Sequence, residues 1–424
     1  MALTDSQKVM RNDTGVRIAV ALEELVAKSD SAGGVYGFIE DMDVLDPEDR
    51  ITYIADNAGF QPMTRNNDGT MDEGGWSDFI KNLDNHPWMV KWDGTPDYRL
   101  MDTDYTKKYD GTASDVANAN YAGGAFAWMK RIYKSEKMVG SKRIVGFRFT
   151  KAEGYDPIGF IDPDGNILEG VWIPMFYGAI DTAGKMRSIS GTQPCYSKNT
   201  SQEYTAISAC GNRHVFYGGG IAKTIEDLEI MLGKSTDVQL VFGRGNCNGY
   251  NASLAPTNGV KANAVVGGGR FYGTDTGTDL GKAFHSIVLA SFQQWMRDPY
   301  WLLVSGEHKV SPNYVYDLTG ATYVATGVTL PAAGGWYYPH FYQTVPGYGS
   351  VPINSNGYKG STVLGGCDGL YVNIDGVRVA LRFGDCGNGL IAGPRAVYLN
   401  STATTANWNI GAAPLLLPPV GVAA

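Results

Sequence analysis

Apolar residues near the start of the chain follow the period of a helix. Within residues 4–28, a stripe that includes Ile18, Leu22 and Leu25 recurs at i, i+4 and i+7, on one side of the predicted helix. A lone amphipathic helix has nothing of its own against which to bury such a stripe. We therefore expect residues 1–32 to pack on the body, on copies of themselves or on a docking partner, and so to anchor or oligomerise the chain.

Beyond this helix, short apolar runs alternate with turn-forming residues, which is typical of β-strands. Candidate strands fall at residues 35–39, 51–54, 88–92, 143–150 and 170–180. Clusters of Asn, Asp and Gly separate them. The run 162–166 predicts a tight hairpin turn, because it lacks the glycine and the closing glutamate of a calcium-binding loop.

Two further helices are predicted from apolar spacing. The first is capped by Thr224 and stopped by Gly233. The second covers residues 280–295 and is apolar nearly all round, so we expect it to be buried, with Asp298-Pro299 ending it. His285 falls on this second helix and is interpreted as a hydrogen-bonded core residue. From residue 300 onward the pattern returns to short strands and glycine turns.

Composition points to the same β-rich character. Of 424 residues, 55 are glycine, 12% are aromatic and only 18% are charged, so a coiled coil or a long helical bundle is excluded. The net charge of −8 argues against a nucleic-acid partner. No apolar run is long enough to cross a bilayer, so we expect no membrane insertion. The first six residues lack the features of a secretion signal, so we expect release by another route, such as lysis.

Motifs for catalysis, cofactors or metals are not found. There is no nucleophile elbow, P-loop or zinc-protease motif, and the glycine runs at 218–220 and 267–269 lack the partners of a phosphate cradle. The acidic run 41–49 is interpreted as a solvated loop. We therefore expect no catalytic residue, no cofactor and no metal.

The cysteines and histidines leave two questions open. The five cysteines form no C-x-x-C pair and are expected to be reduced; Cys367 and Cys386 either lie close together or are simply small buried residues. His340 lies in the aromatic run 336–342, which either packs under loops or contacts a ligand.

The last sixty residues carry a resemblance to known proteins. Residues 365–373 read GGCDGLYVN, residues 376–400 read GVRVALRFGDCGNGLIAGPRAVYLN, and residues 407–412 read NWNIGA. This resembles the terminal half of a C-type-lectin-like domain, in the branch that includes formylglycine-generating enzymes and the variable proteins of diversity-generating retroelements. The cysteines have no convincing catalytic spacing, so the enzymes' catalytic cysteines are not carried over.

A second resemblance covers the middle of the chain. Residues 173–176 (IPMF), 184–191 (GKMRSISG) and 242–249 (FGRGNCNG) are similar to segments of structural, tail-fibre-like proteins of bacterial viruses. The two resemblances agree, because retroelement variable proteins are often virion receptor binders. They imply a virion protein that is made in the cytoplasm of a bacterial host and released by lysis.

Together these observations predict an α+β, β-rich fold in three parts. Residues 1–32 form the N-terminal helix, residues 33–169 a β-rich domain, and residues 170–424 a C-type-lectin-like domain with insertions, consisting of small twisted antiparallel sheets, two helices and long loops. The variable-type ligand surface is placed at about 365–410. If a retroelement diversifies that surface, the source genome will hold a template repeat matching its coding sequence.

The candidate ligand-binding residues lie in the C-terminal strands and turns. In the strand at 377–382, apolar residues alternate with Arg378, Ala380 and Arg382, and the glycines that follow permit sharp turns that present side chains to a partner. Leu390 and Ile391 either join this contact patch or fill the core. The candidate residues are Asp368, Tyr371, Arg382, Phe383, Asp385, Asn388, Leu390, Ile391, Pro394 and Arg395.

The favoured hypothesis is a non-enzymatic bacteriophage protein, a receptor-binding or tail-fibre component. Its partners would be a glycan or protein of the bacterial surface, other virion proteins and further copies of itself, with a trimer as the expected oligomer. One alternative is a capsid, head-fibre or neck decoration protein with a structural role. A second alternative is a glycan-cleaving enzyme on a lectin-like scaffold.

Overall fold

The computed structural model describes residues 34–330, 335–339, 341–353, 365–366 and 368–424. The helix predicted at 4–28, together with His340 and Cys367, lies outside these residues. Within them the chain is rich in β-strands and has few helices, so the predicted β-rich character is confirmed.

The strands and helices, numbered in chain order, have the following bounds. The strands are β1 (Tyr36–Asp41), β2 (Ile51–Ala55), β3 (Thr64–Arg65), β4 (Met71–Asp72), β5 (Pro87–Lys91), β6 (Pro96–Met101), β7 (Asp104–Lys108), β8 (Gly123–Lys130), β9 (Tyr133–Val139), β10 (Lys142–Arg148), β11 (Gly170–Pro174), β12 (Gly178–Ile180), β13 (Met186–Ser188), β14 (His214–Phe216), β15 (Trp295–Val304), β16 (Glu307–Val310), β17 (Val324–Thr329), β18 (Gly335–Tyr337), β19 (Tyr342–Val345), β20 (Gly349–Pro352), β21 (Leu370–Val372), β22 (Val377–Phe383), β23 (Gly393–Leu399), β24 (Ile410–Gly411) and β25 (Pro414–Leu416). The α-helices are α1 (Ser77–Asn82), α2 (Thr200–Ser208), α3 (Gly219–Gly233), α4 (Val238–Phe242) and α5 (Ile287–Ala290).

Three larger sheets organise the described chain. One has the strand order β2-β1-β10-β9, and the second has the order β14-β25-β11-β8-β5-β6-β7. The third has the order β17-β16-β15-β22-β23-β21-β18, with β24 paired in parallel to β15. We call this third sheet the C-terminal sheet. Its edge strand β18 and the neighbouring β21 and β23 become important for the candidate site.

The predicted boundary between residues 169 and 170 does not separate two domains in the structure. Strand β8 lies before this boundary and β11 after it, yet the two pair directly through five residues. Strand β25, near the end of the chain, pairs with β11 in the same sheet. The largest apolar core likewise extends from Phe38 to Leu417. The two halves therefore share a sheet and a core. The composition of neighbouring residues does not reveal such pairing between distant parts of the chain.

Both predicted helices of the second half differ from expectation. Helix α3 begins at Gly219, where both carboxylate oxygens of Asp298 accept the Gly219 N–H at 3.0 Å. Thr224 is consequently not a cap, and its hydroxyl donates to the Ile158 carbonyl. The predicted end is confirmed at Gly233, followed by Lys234 in a left-handed conformation.

The second predicted helix, at 280–295, is wrong for most of its length. Only the four residues of α5 are helical there, and Asp298-Pro299 lies inside β15 instead of ending a helix. Phe284, His285 and Phe292 have positive φ angles of 50°, 65° and 46°, which break a helix. An apolar run without clear periodicity does not specify a helix. Here it forms isolated bridges, a turn and the short α5, and the strand β15 begins only at Trp295.

Several local predictions are confirmed. The structure contains strands at four of the five predicted positions, and it divides the fifth, 170–180, into β11 and β12. Residues 162–166 form a tight turn closed by a hydrogen bond from the Asp162 N–H to the Asn166 carbonyl. Most of the acidic side chains in the run 41–49 are exposed, as expected of a solvated loop.

Candidate functional site

Six of the ten predicted ligand-contact residues lie inside the protein. Arg382, Phe383, Asp385, Pro394 and Arg395 are all buried, although the sequence predicts that they are presented to a partner. Asp368, also in the predicted set, is buried as well. These six side chains are therefore not part of a contact surface on this chain, and the reason is found in what each of them touches.

Arg395 is held by an ion pair with Glu40 at the other end of the chain. Its two terminal nitrogens each lie 2.8 Å from a carboxylate oxygen of Glu40, a two-point contact that suits guanidinium geometry. Arg50 and Arg143 bind the same carboxylate at 2.8 and 2.9 Å. Burial alone would raise the pKa of Glu40, but the surrounding guanidiniums outweigh it and hold that pKa well below its usual range.

Arg382 joins a neighbouring part of the same charge cluster. One of its nitrogens donates to Glu226 of helix α3 at 2.8 Å, and Lys223 donates to the same oxygen at 3.0 Å. Asp368 accepts the Arg395 backbone N–H at 2.6 Å, and burial raises its pKa well above the usual range. The Arg, Lys and Glu side chains thus neutralise one another inside the fold, whereas Asp368 is bound there through the backbone.

Phe383 shows how the turn after β22 differs from the predicted display loop. It has a φ of 78°, and its ring stacks on Tyr217 with 6.1 Å between centroids. The ring therefore points into the core at the position where the sequence predicts exposure. Asn388, Leu390 and Ile391 remain partly exposed on and beside a short 3-10 turn at Gly389–Ile391, so Leu390 and Ile391 neither fill the core nor project freely.

Tyr371 is the predicted residue that the structure places in an accessible aromatic surface. It pairs across the sheet with Trp336 of β18 on one side and Tyr398 of β23 on the other. The ring centroids are 5.3 Å apart for Trp336 and Tyr371, and 4.8 Å apart for Tyr371 and Tyr398. All three side chains are partly exposed. We call Trp336, Tyr371 and Tyr398 the aromatic row.

Strand alternation fixes the side of the sheet on which the aromatic row lies. Residues on either side of Tyr371 and Tyr398 point to the opposite face, because successive side chains of a strand alternate. That opposite face is buried in an apolar core through Leu370, Val372, Val397 and Leu399. The row is therefore forced onto the other face, at the edge of the C-terminal sheet where solvent reaches it.

A buried layer supports the aromatic row from one side. Trp295 lies 6.3 Å from Trp336 and 5.6 Å from Tyr398, measured between ring centroids. It packs with Leu381 and Ile410 in a small apolar cluster. Because this cluster is buried, the ring positions in the row are set by packing before any ligand arrives.

Asparagine amides lie along the aromatic row. The Asn373 amide donates to the side-chain oxygen of Asn400 at 2.9 Å, and the Asn400 amide donates to the Tyr398 hydroxyl at 3.0 Å. Both asparagines are partly exposed and retain further hydrogen-bonding capacity. Flat aromatic rings beside amides and a hydroxyl can stack on the apolar face of a sugar ring while binding its hydroxyl groups.

Gly369 lies close to both Ile391 and Trp336, and this close packing helps to position one end of the aromatic row. A Cβ atom at this residue would lie 2.4 Å from Ile391 and 3.0 Å from the ring of Trp336. The absence of a side chain therefore lets Ile391, a predicted site residue, pack near Trp336. Sequence reasoning identifies Tyr371 and Ile391 but misses Trp336 and Tyr398 as site residues. The signals available for these two are the aromatic run 336–342 and the alternation around Tyr398.

Other side chains with chemical potential are buried or dispersed. His285 accepts or donates a 2.7 Å hydrogen bond with the Tyr105 hydroxyl, so its core role is confirmed. The described cysteines, at 195, 210, 247 and 386, are buried free thiols, and burial raises their pKa values. Among the described residues, no group of three or more His, Cys, Asp or Glu side chains is arranged to hold a metal ion.

Two surface grooves lie away from the aromatic row. One, of about 440 Å³, runs along β2 and includes Phe60 and Lys234; the other, of about 330 Å³, includes Trp92 and Tyr121. Neither groove contains a residue of the predicted site. No helix in the described parts of the chain is both long and apolar enough to span a bilayer.

No protein-family model matches this chain, and no curated protein matches it.

Proposed function

We propose that this chain is a non-enzymatic bacteriophage virion protein that attaches the particle to a glycan of the bacterial surface. The aromatic row is the observation that carries the proposal. Partly exposed Trp and Tyr side chains on a supported sheet face give rigid contact area at a low cost in conformational entropy. The resemblance of residues 365–412 to C-type-lectin-like domains supports the same reading of the C-terminal sheet, since that fold often displays ligand-binding surfaces.

The proposed site differs from the predicted one in its residues while keeping its place in the chain. Arg382 and Arg395 form ion pairs in the interior. We therefore assign recognition to Tyr371, Trp336 and Tyr398. A single sugar contact of this kind is weak. Many copies on one particle would raise the apparent affinity by roughly 10²–10⁴ without new contacts.

The test compares purified wild-type protein with Trp336→Ala and Tyr371→Ala in binding to host cells. We expect each variant to lose binding by about tenfold or more, since a well-packed aromatic contact contributes on the order of 2 kcal/mol. Tyr109→Ala is the matched control, because Tyr109 is a tyrosine that is 66% exposed and follows β7, the edge strand of a different sheet. Melting curves confirm that each variant is folded.

Three results would contradict the proposal. Unchanged binding by folded row variants would remove the aromatic row from recognition. Loss of binding by Tyr109→Ala to the same extent would show that the assay reports a general property of the surface. Release of sugar products from host envelopes would make the protein an enzyme.

A structural role in the virion is the second candidate, favoured by the buried charge cluster. Glu40 and Arg395 join the two ends of the described chain through buried ion pairs, as suits a rigid building block of a capsid or neck. A particle reconstruction distinguishes the two proposals. An exposed aromatic row supports attachment, and a row buried against another virion protein supports decoration.

A further inference from the structure

A second pair of aromatic side chains lies close to the C-terminal sheet. The rings of Tyr250 and Trp408 have centroids 5.6 Å apart. Tyr250 is 52% exposed, and Trp408 is partly exposed. Exposed aromatic rings in a pair indicate a contact surface more strongly than scattered ones. We call Tyr250 and Trp408 the second platform.

Direct contacts connect the second platform to the base of the aromatic row. The Tyr250 N–H donates to the Cys386 carbonyl at 2.8 Å, next to Asp385 in the chain. Asp385 in turn accepts a hydrogen bond from the Asn409 amide, and the Asn409 carbonyl accepts the Trp295 N–H at 2.9 Å. Trp295 is the buried ring that supports the row. The second platform and the ring that supports the row are therefore connected through Asp385 and Asn409.

Two of the segments that form these platforms are almost free of charge. Residues 245–260 contain no Asp, Glu, Lys or Arg, and residues 386–412 contain only Arg395, which is buried. The polar groups that these segments offer are amides and hydroxyls, as in Asn388, Asn407 and the threonines at 402, 404 and 405. These two segments therefore offer no accessible cation to match an acidic polymer and no accessible anion to match a basic one. Beside the row, the exposed Asp375 and the partly exposed Arg378 carry opposite charges and give no net charge.

We infer that this face takes an extended, uncharged glycan several sugar units long, which runs from the aromatic row to the second platform. The inference rests on the proposed function and adds the ligand class. Once a glycan is bound at the aromatic row, its contact with the second platform is intramolecular. The affinity of the protein for the glycan should therefore rise steeply with the number of sugar units until both platforms are covered.

The experiment is isothermal titration of the full chain with neutral oligosaccharides. The probes are oligomers of glucose, galactose, mannose and N-acetylglucosamine from two to six units, and six-unit polygalacturonate is the acidic comparison. We expect at least one neutral series to gain about tenfold or more in affinity between two and six units. We expect polygalacturonate to bind at least about tenfold more weakly than the best neutral hexamer.

Variants separate the two platforms. Trp408→Ala should lower affinity for the hexamer by about tenfold and leave the dimer unchanged, because the dimer covers only the aromatic row. Trp336→Ala should weaken both. Tyr250→Ser tests the second platform independently if Trp408→Ala melts at a lower temperature than the wild type. Tyr109→Ala is the control that should change neither affinity.

The outcomes distinguish this inference from the proposed function. If Trp336→Ala weakens binding while Trp408→Ala and Tyr250→Ser do not, the extended ligand is refuted and the attachment site stands. Preferred binding of polygalacturonate refutes the uncharged ligand. Failure of every probe to bind the folded chain counts against both proposals. A change in oligomeric state in Trp408→Ala, measured by light scattering, would make the second platform a contact between copies and refute the inference.

Discussion

Replacing Arg395 by Met tests whether the Arg395 side chain stabilises the interior or contacts a partner at the surface. The substitution keeps a long side chain and removes the charge. In the structure it deletes both 2.8 Å contacts with Glu40 and the cation–π contact with Tyr342, 4.6 Å from the guanidinium carbon to the ring centroid. Glu40 keeps Arg50 and Arg143 as partners, so its charge is not left alone.

The expected cost follows from the burial of both partners. Removing one member of a buried ion pair typically costs about 3–5 kcal/mol. An exposed contact residue would cost less than about 0.5 kcal/mol on replacement. For a chain of 424 residues, an unfolding entropy of about 2.1 cal/mol/K per residue converts the larger figure into a fall in melting temperature of about 3–6 °C.

The assay is thermal unfolding followed by circular dichroism, with urea denaturation for the free energy. Lys91→Met is the matched control, because it also replaces a paired cation by Met. Lys91 is 55% exposed and lies 3.7 Å from Asp97, so we expect a change of less than about 1 kcal/mol. An Arg395→Met protein as stable as Lys91→Met would refute the buried ion pair and restore Arg395 to the candidate surface.

Two further predictions concern other parts of the fold. Burial lowers the pKa of Lys282 to about 7, so between pH 10 and 7 the unfolded chain binds a proton that the folded chain does not. The free energy of unfolding should therefore fall as pH falls, by up to about 1.4 kcal/mol per unit, and Lys282→Met should lose this slope in urea titrations at pH 7 and 9. An equal slope in both proteins would contradict it. Gly369→Ala should push Ile391 and Trp336 apart, lower the free energy of unfolding by about 1–3 kcal/mol and weaken glycan binding. Glycan binding as strong as that of the wild type would show that this packing does not position the row.

Local features of the fold could be predicted from sequence because they depend on neighbouring residues. Alternating apolar runs gave most of the early strands, and the hairpin at 162–166 followed from its turn residues. The region 280–295 could not be assigned in this way, because a run that is apolar on all sides carries no period. Isolated bridges at Lys282 and Ala283, positive φ angles and burial in the core decided its conformation.

The residues of the candidate site could likewise be predicted only in part. Tyr371 and Ile391 were found because they lie in the C-terminal strands and turns. Arg382 and Arg395 were misplaced, because a charged residue in a glycine-rich stretch is usually exposed. Their carboxylate partners are Glu226 and Glu40, more than 150 and 350 residues away in sequence.

What the sequence by itself determined is the β-rich character, the alternation along the strands, and the low charged and high aromatic content of the chain. These depend on composition and on spacings of a few residues. Only the tertiary structure decided which faces are buried, which charges neutralise one another and which aromatic rings meet at a sheet edge. The physical reason is that burial and ion pairing depend on contacts between residues distant in the chain, which no local pattern records.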